Sequence, residues 1–115
     1  MRIKNDEYYL LLLEKDVNFI IDKTKKISEK SLKNDEVLLD SMMFRLIQIS
    51  ESIKKLSNDI KEKYNEVPWL DIMGFRNRIV HDYGRVDFHI VIASIKCDIP
   101  VLKEFIDNIK SEMFK

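Results

Sequence analysis

Seven apolar residues in the middle of the chain alternate spacings of three and four, and this repeat restricts the fold more than any other feature. They are Leu39, Met42, Leu46, Ile49, Ile53, Leu56 and Ile60. A mean spacing of about 3.5 residues places all seven on one face of a long helix that packs lengthwise against neighbouring helices. We interpret this apolar stripe as core rather than as a binding groove.

Similar helical periodicity on both sides of the stripe predicts an all-α, up-and-down four-helix bundle. The predicted helices run from about Asn5 to Ile27, from Asn34 or Asp35 through the stripe, from Pro68 to Gly84, and from Asp87 onward. The polar stretch SEKSLKNDE reads as the connection between the first two. Pro100 predicts a kink or break in the last helix. Residues 81–87 are predicted to form an irregular corner.

The composition fits a single globular domain over residues 1–115. Two Gly and two Pro leave too few turn residues for an all-β fold. The single cysteine, Cys97, excludes an internal disulfide and a multi-thiolate metal site, and we expect it to pack as a small hydrophobe. We therefore predict neither a metal nor a cofactor.

The charge pattern limits the partners of the chain. Lys+Arg and Asp+Glu both count 20, so no net charge attracts nucleic acid or an anionic membrane, and phosphate binding requires a local patch. The longest apolar run, Tyr8 to Leu13, is too short to span a bilayer, and acidic residues interrupt the N-terminal stretch where a signal peptide would be apolar. We expect a cytoplasmic protein without a membrane partner.

The local patch is the stretch RNRIVHDYGR, residues 76–85, which holds three of the five arginines and one of the two histidines. Histidine can donate or accept a proton near neutral pH. Arginine presents a charged fork that matches phosphate oxygens. Asn77 could orient either group, and Tyr83 could stack on a base or donate a hydrogen bond. These side chains suit RNA cleavage without a metal.

Helical geometry leaves the assembly of this patch open. On a helical wheel Arg76 and His81 are ~140° apart, so one straight helix does not aim both at a single phosphate. Either the helix ends near His81, or the long arginine reaches round, or a second subunit completes the site. A structural alternative pairs Arg76 and Arg78 with Asp71 and Asp82 and makes His81 a helix cap.

Other polar and aromatic residues have structural interpretations. His89 lacks companions with metal-ligand spacing and is predicted to be a surface residue. Trp69 is predicted to anchor the core. Arg45, Gln48 and Ser52 form a polar line beside the apolar stripe, which could support the site from behind or lie in a dimer seam.

Three segments resemble one known family. PWLDIMGFRNRIVHDY resembles the signature of HEPN-domain proteins, specifically the HepT-like toxins, whose motif is Arg-x4-His-x-Tyr with Asn after the Arg. VDFHIVIASIKCDIPVLKEFI resembles the last helix of that family, and RLIQISES its second helix, with Ser50 and Ser52 in place of Gly and Ala. Gly84-Arg85 replaces the usual Phe-Gly after the motif tyrosine.

The resemblance implies a homodimeric toxin that cleaves RNA as a metal-independent endoribonuclease. It implies Arg76 and His81 as catalytic residues, with Asn77 and Tyr83 supporting them. It also implies a partner, an MNT-type nucleotidyltransferase antitoxin that transfers AMP to Tyr83. We add Arg78 and Arg85 as candidate RNA contacts because of their charge and position. The alternative is a non-catalytic subunit that docks the nucleotidyltransferase and serves as its substrate.

Overall fold

The computed structural model describes residues 2–81, 85–86 and 88–113, and it describes side chains for residues 5–79 and 88–113. In order the elements are α1 (Arg2–Thr24), α2 (Glu29–Asn34), α3 (Glu36–Lys55), α4 (Asn58–Lys63), α5 (Trp69–Met73), α6 (Phe75–Ile79), β1 (Val80–His81), β2 (Arg85–Val86), α7 (Phe88–Ala93), a π-helical turn (Ser94–Asp98) and α8 (Ile99–Met113). The all-α prediction is confirmed. The short antiparallel ladder between β1 and β2 was not predicted.

The centre of the molecule is the packing of α1 against α3 and α8. All seven residues of the apolar stripe are buried, as predicted. The Asp35 side chain accepts from the Leu38 amide at 3.0 Å and caps α3, which confirms the predicted start of this helix. The helix itself ends at Lys55, earlier than the stripe does. Ser57 then caps α4 and binds the buried carboxylate of Asp6 through both its N–H and its hydroxyl.

The stretch SEKSLKNDE is not a simple connection, because α2 forms inside it. The Ser28 hydroxyl accepts from the Ser31 amide at 3.1 Å and caps this helix, and Leu32 supplies a buried anchor. A single apolar residue among polar neighbours gives no periodicity, so the sequence pattern could not indicate the helix.

The third predicted helix starts where expected, with Pro68 before α5, but it does not continue to Gly84. It is interrupted at Gly74 and ends at Ile79, because Val80 and His81 place their backbones in a ladder with residues 85–86. Gly84 and Asp87, where the third predicted helix ends and the fourth begins, lie outside the described residues. The irregular corner is confirmed where the structure describes it.

The fourth predicted helix departs from regular α-helix just before Pro100, but it is not broken there: a π-helical turn leads directly from α7 into α8. The Ile99 amide donates to the Ser94 carbonyl, five residues back, and this wider turn precedes a proline that has no N–H of its own. Cys97 is exposed, contrary to prediction, because Ile95 and Ile99 occupy the core positions on either side of it. Of the helices in the described part of the chain, none has the length and apolar character to cross a membrane.

Candidate functional site

The residues that carry the predicted chemistry lie in the motif segment, residues 68–81. Its helical part is short and interrupted: α5 ends at Met73, and the Gly74 amide donates to the carbonyls of Leu70 and Asp71 at 3.1 and 3.2 Å. Helix α6 resumes at Phe75, and the Arg78 amide donates back to the Gly74 carbonyl at 3.0 Å. The segment is therefore two single helical turns in close succession.

Specific side chains hold these two turns against the bundle. Trp69 is buried, as predicted, and its indole N–H donates to the carbonyls of Lys61 and Tyr64 at 3.2 and 3.1 Å. Ser50, fully buried on α3, donates its hydroxyl to the Met73 carbonyl at 2.6 Å. That bond ties the interruption of the motif segment directly to the longest core helix after α1.

The inward face of α6 is apolar, which leaves the predicted site residues facing solvent. Phe75 and Ile79, four residues apart, are buried. Arg76, Asn77 and Arg78 are all exposed. Within the described residues, neither Arg76 nor Asn77 takes part in a side-chain hydrogen bond or an ion pair. The predicted ion pair between Arg76 and Asp71 is therefore absent from this part of the chain.

Arg78 is engaged differently from Arg76. Its guanidinium donates to the Asp71 backbone carbonyl at 3.1 Å and lies 5.0 Å from the centroid of the Phe75 ring. Its Nη2 is 3.9 Å from the Asp98 carboxylate in the π-helical turn, too far for a hydrogen bond. The alternative in which the arginines make structural contacts therefore holds in part for Arg78. Its carboxylate neighbour is Asp98, because Asp71 contributes only its backbone carbonyl.

The end of α6 decides one question that the helical wheel left open. The helix stops at Ile79, and the backbone register of the ladder pairs His81 with Arg85 and Val80 with Val86. The wheel angle therefore does not apply to His81, and of the three arrangements the structure adopts the one in which the helix ends near this histidine. The side chains of His81 and Arg85 are not described, and Asp82 and Tyr83 lie outside the described residues.

Arg45, the first residue of the polar line on α3, is bonded within the bundle rather than to the motif segment. Arg45 donates to the Asp16 carboxylate of α1 at 2.8 Å, and its guanidinium lies 4.0 Å from the centroid of the Phe19 ring. Asp16 is only 7% exposed, so this pair joins two helices across a partly buried interface.

Sequence reasoning missed three side chains of this region: Asp16, Ser50 and Asp98. A serine inside an apolar helical stripe signals a hydrogen-bonding role, and that signal could have indicated Ser50. Asp98 had no such signal, because its position depends on the π-helical turn. His89 is exposed, as predicted. Among the residues that the structure covers, no group of His, Cys, Asp or Glu could hold a metal ion.

Comparison with known proteins relates this chain to ribonucleases. The sequence profile of the family described as Ribonuclease HepT-like matches residues 13–109. A candidate RNase of Caldanaerobacter subterraneus subsp. tengcongensis is 31% identical over 107 residues, which cover 93% of this chain and 96% of that protein. A protein of Thermococcus cleftensis named as a probable ribonuclease HepT is 28% identical over 83% of this chain and 86% of its own length.

A third relative is larger than this chain. It is a Methanocaldococcus jannaschii protein named as a gamma-glutamylcyclotransferase and candidate RNase, 32% identical over 112 residues. The match covers 97% of this chain but 50% of that protein. No solved structure matches the chain significantly.

Proposed function

Because the chain belongs to the HepT-like ribonuclease family, we propose that it is a metal-independent endoribonuclease that acts as the toxin of a toxin–antitoxin pair. One observation carries the catalytic part of the proposal. Arg76 is exposed and unpaired among the described residues, on the last turn of a helix that ends two residues before His81. An exposed arginine without a partner keeps all of its N–H donors available for phosphate oxygens.

The proposed reaction is an internal transfer at phosphorus. His81 takes the proton of the ribose 2′-hydroxyl, and the 2′-oxygen attacks the adjacent phosphorus. The bond from phosphorus to the 5′-oxygen breaks, and that oxygen takes a proton from an imidazolium. The products are a 2′,3′-cyclic phosphate and a 5′-hydroxyl. Arg76 stabilises the charge that develops on the phosphoryl oxygens, and Asn77 and Tyr83 support this arrangement.

The proposed homodimer now depends on this chemistry. The end of α6 at Ile79 removes the angular argument for a second subunit. A separate base and acid are still needed, and a two-fold axis between two motif segments would supply one histidine for each role. Sedimentation should show a dimer at micromolar concentration. A protein that cleaves RNA as a monomer would contradict this part of the proposal.

The activity test compares matched variants of the two histidines. We expect the parent protein to cleave RNA in EDTA and His81→Ala to lose about 10²–10⁴ in rate, the usual contribution of a general acid or base. His89→Ala, which changes an exposed histidine, should cleave like the parent protein. Arg76→Lys keeps the charge but loses the fork, so it should retain only part of the activity. Loss of cleavage in EDTA that Mg²⁺ restores would overturn the metal-independent mechanism.

The proposed control is transfer of AMP from ATP to the Tyr83 hydroxyl by an MNT-type nucleotidyltransferase, with release of pyrophosphate. The added phosphodiester carries one negative charge that can pair with an arginine of the motif, and the adenosine would compete with RNA. The test is incubation with that enzyme, ATP and Mg²⁺, followed by peptide mass mapping and a cleavage assay. Tyr83→Phe should escape both the added mass and the inhibition, whereas Tyr8→Phe, at another exposed tyrosine, should not.

The same test separates the toxin from a non-catalytic subunit. A substrate subunit would gain AMP at Tyr83 without any RNA cleavage before or after the modification. Inhibition without added mass would instead mean that the antitoxin acts by binding alone.

A further inference from the structure

A small groove lies on the far side of α6 from Arg76, between the motif segment and the start of α8. It encloses about 120 Å³ and is lined mainly by Pro68, Phe75, Arg78, Asp98, Val101 and Phe105. Typical sites for whole small molecules measure roughly 300–1,000 Å³. This groove is therefore of a size for one planar ring system rather than for a complete nucleotide.

The groove combines apolar walls with three charged residues, Asp71, Arg78 and Asp98. The partly exposed Phe105 ring contributes aromatic surface on which a base can stack, whereas Phe75 is buried and forms part of the wall. The Arg78 guanidinium is held by the Asp71 carbonyl and by its position over Phe75, so its remaining donors have a defined direction. The Asp98 carboxylate comes from the π-helical turn on the opposite wall.

The Arg78–Asp98 pair is open enough to exchange partners. The two groups are 3.9 Å apart, and the side chains are 43% and 45% exposed. A pair with this distance and exposure contributes little to stability. A ligand that offers donors to the carboxylate and acceptors to the guanidinium can replace it without a large loss.

From this geometry we propose that the groove is a base subsite for guanine in the RNA substrate, which rests on the proposed ribonuclease function. Guanine presents O6 and N7 as a pair of acceptors for the arginine fork. Its N1–H and N2 amino group form a pair of donors for the two carboxylate oxygens. Adenine, cytosine and uracil each offer the carboxylate a donor at only one position of the ring edge.

The position of the groove relates this guanine to the cleavage site. Arg76 and Arg78 are ~200° apart around α6, so they flank the helix on opposite sides. An RNA strand whose scissile phosphate contacts Arg76 would cross the exposed Asn77 and place a neighbouring base at Arg78. The subsite therefore selects where the strand is cut, while the motif performs the cleavage.

The test uses short single-stranded RNAs that carry one guanine, or at that position inosine, 7-deazaguanine or adenine. Inosine lacks the N2 amino group, and 7-deazaguanine lacks the N7 acceptor. For the parent protein we expect kcat/KM to fall roughly 5- to 100-fold with either analogue, the usual cost of a lost bidentate base contact. Asp98→Ala should abolish the difference between guanine and inosine, and Arg78→Ala the difference between guanine and 7-deazaguanine.

A matched control and a binding assay make each outcome decisive. Asp107→Ala removes another exposed carboxylate of α8, paired with Lys103, and should keep the full guanine preference. Equal cleavage of all four RNAs by the parent protein, or an inosine penalty that survives in Asp98→Ala, would overturn the subsite. If no RNA is cleaved, the ribonuclease proposal fails, but the subsite can still be tested by equilibrium binding of the same RNAs to His81→Ala. Equal affinities for the four RNAs would overturn the subsite. Tighter binding of the RNA that carries guanine would support it.

Discussion

The packing of α1 on α3 and the motif segment are stabilised in different ways. Between α1 and α3, apolar residues at regular spacing are buried along most of two long helices. The motif segment consists of two helical turns and one short strand. Bonds from the Ser50 and Trp69 side chains to backbone carbonyls help to fix it to the bundle. A regular interface distributes its stability over many contacts, whereas the candidate site combines four buried side chains, Trp69, Ile72, Phe75 and Ile79, with a few individual bonds.

The largest effect on stability is expected in the regular interface. Leu46 is fully buried on α3, and Leu46→Ala should lower the free energy of unfolding by about 2–5 kcal/mol through lost burial and the cavity it leaves. Urea unfolding monitored by circular dichroism measures the change. Val37→Ala, at an exposed position of the same helix, is the control and should change little. A change below about 1 kcal/mol for Leu46→Ala would mean that α3 does not form the core.

A smaller effect is expected where the same interface contains a charge pair. Arg45→Ala leaves the Asp16 carboxylate without its partner, so we expect a loss of about 1–3 kcal/mol, the cost of an unsatisfied buried polar group. The double variant that also carries Asp16→Ala should recover part of that loss. The measurement is a double-mutant cycle by chemical unfolding. Strict additivity of the two changes would show that the pair is not coupled.

Ser50→Ala is expected to act mainly on the motif segment. It removes the only donor that the described residues give to the Met73 carbonyl from outside the segment, at a cost of about 1–3 kcal/mol or less if water replaces it. The sharper readout is hydrogen exchange, which should accelerate for the amides of residues 74–78 but not for those of α1. Ser52→Ala, at a buried serine with no side-chain hydrogen bond among the described residues, is the matched control. Uniform acceleration in both regions would indicate global destabilisation instead.

The smallest effect is expected at the interruption itself. Gly74 has φ −83°, which any residue can adopt, and an added Cβ would lie 3.4 Å from the nearest heavy atom, the Asp71 carbonyl oxygen. Gly74→Ala should therefore change stability by less than about 1 kcal/mol, with a gain favoured because alanine restricts the unfolded chain. Thermal unfolding tests this. A loss of several kcal/mol would show that the interruption requires glycine.

The same comparison explains which parts of the molecule the sequence could predict. The burial of the apolar stripe, which spans α3 and α4, was predicted residue by residue because apolar residues recur there with helical period. An irregularity near Pro100 was predicted because proline lacks an N–H. Both depend only on local chemistry.

The motif segment was predicted in composition but not in geometry. Its residue types identified Arg76, Asn77 and Arg78 as exposed polar groups, yet helical periodicity continued past the point where α6 ends. Whether Val80 and His81 extend the helix or pair with residues 85–86 depends on competition with a second chain segment, which no local pattern records. The contact between Arg78 and Asp98 likewise joins residues twenty positions apart through a turn that the sequence did not indicate.

The π-helical turn has a consequence for how this chain can tolerate insertions and deletions. A π-helical turn contains one residue more than the corresponding α-helical turn, so shortening it by one would restore regular helix before α8. In regular helix the ring of Pro100 would meet the carbonyl of the residue four positions earlier. The extra residue and Pro100 therefore depend on each other. We expect a one-residue deletion in this turn to be tolerated only together with replacement of Pro100, and the combined change would move Asp98 away from the groove.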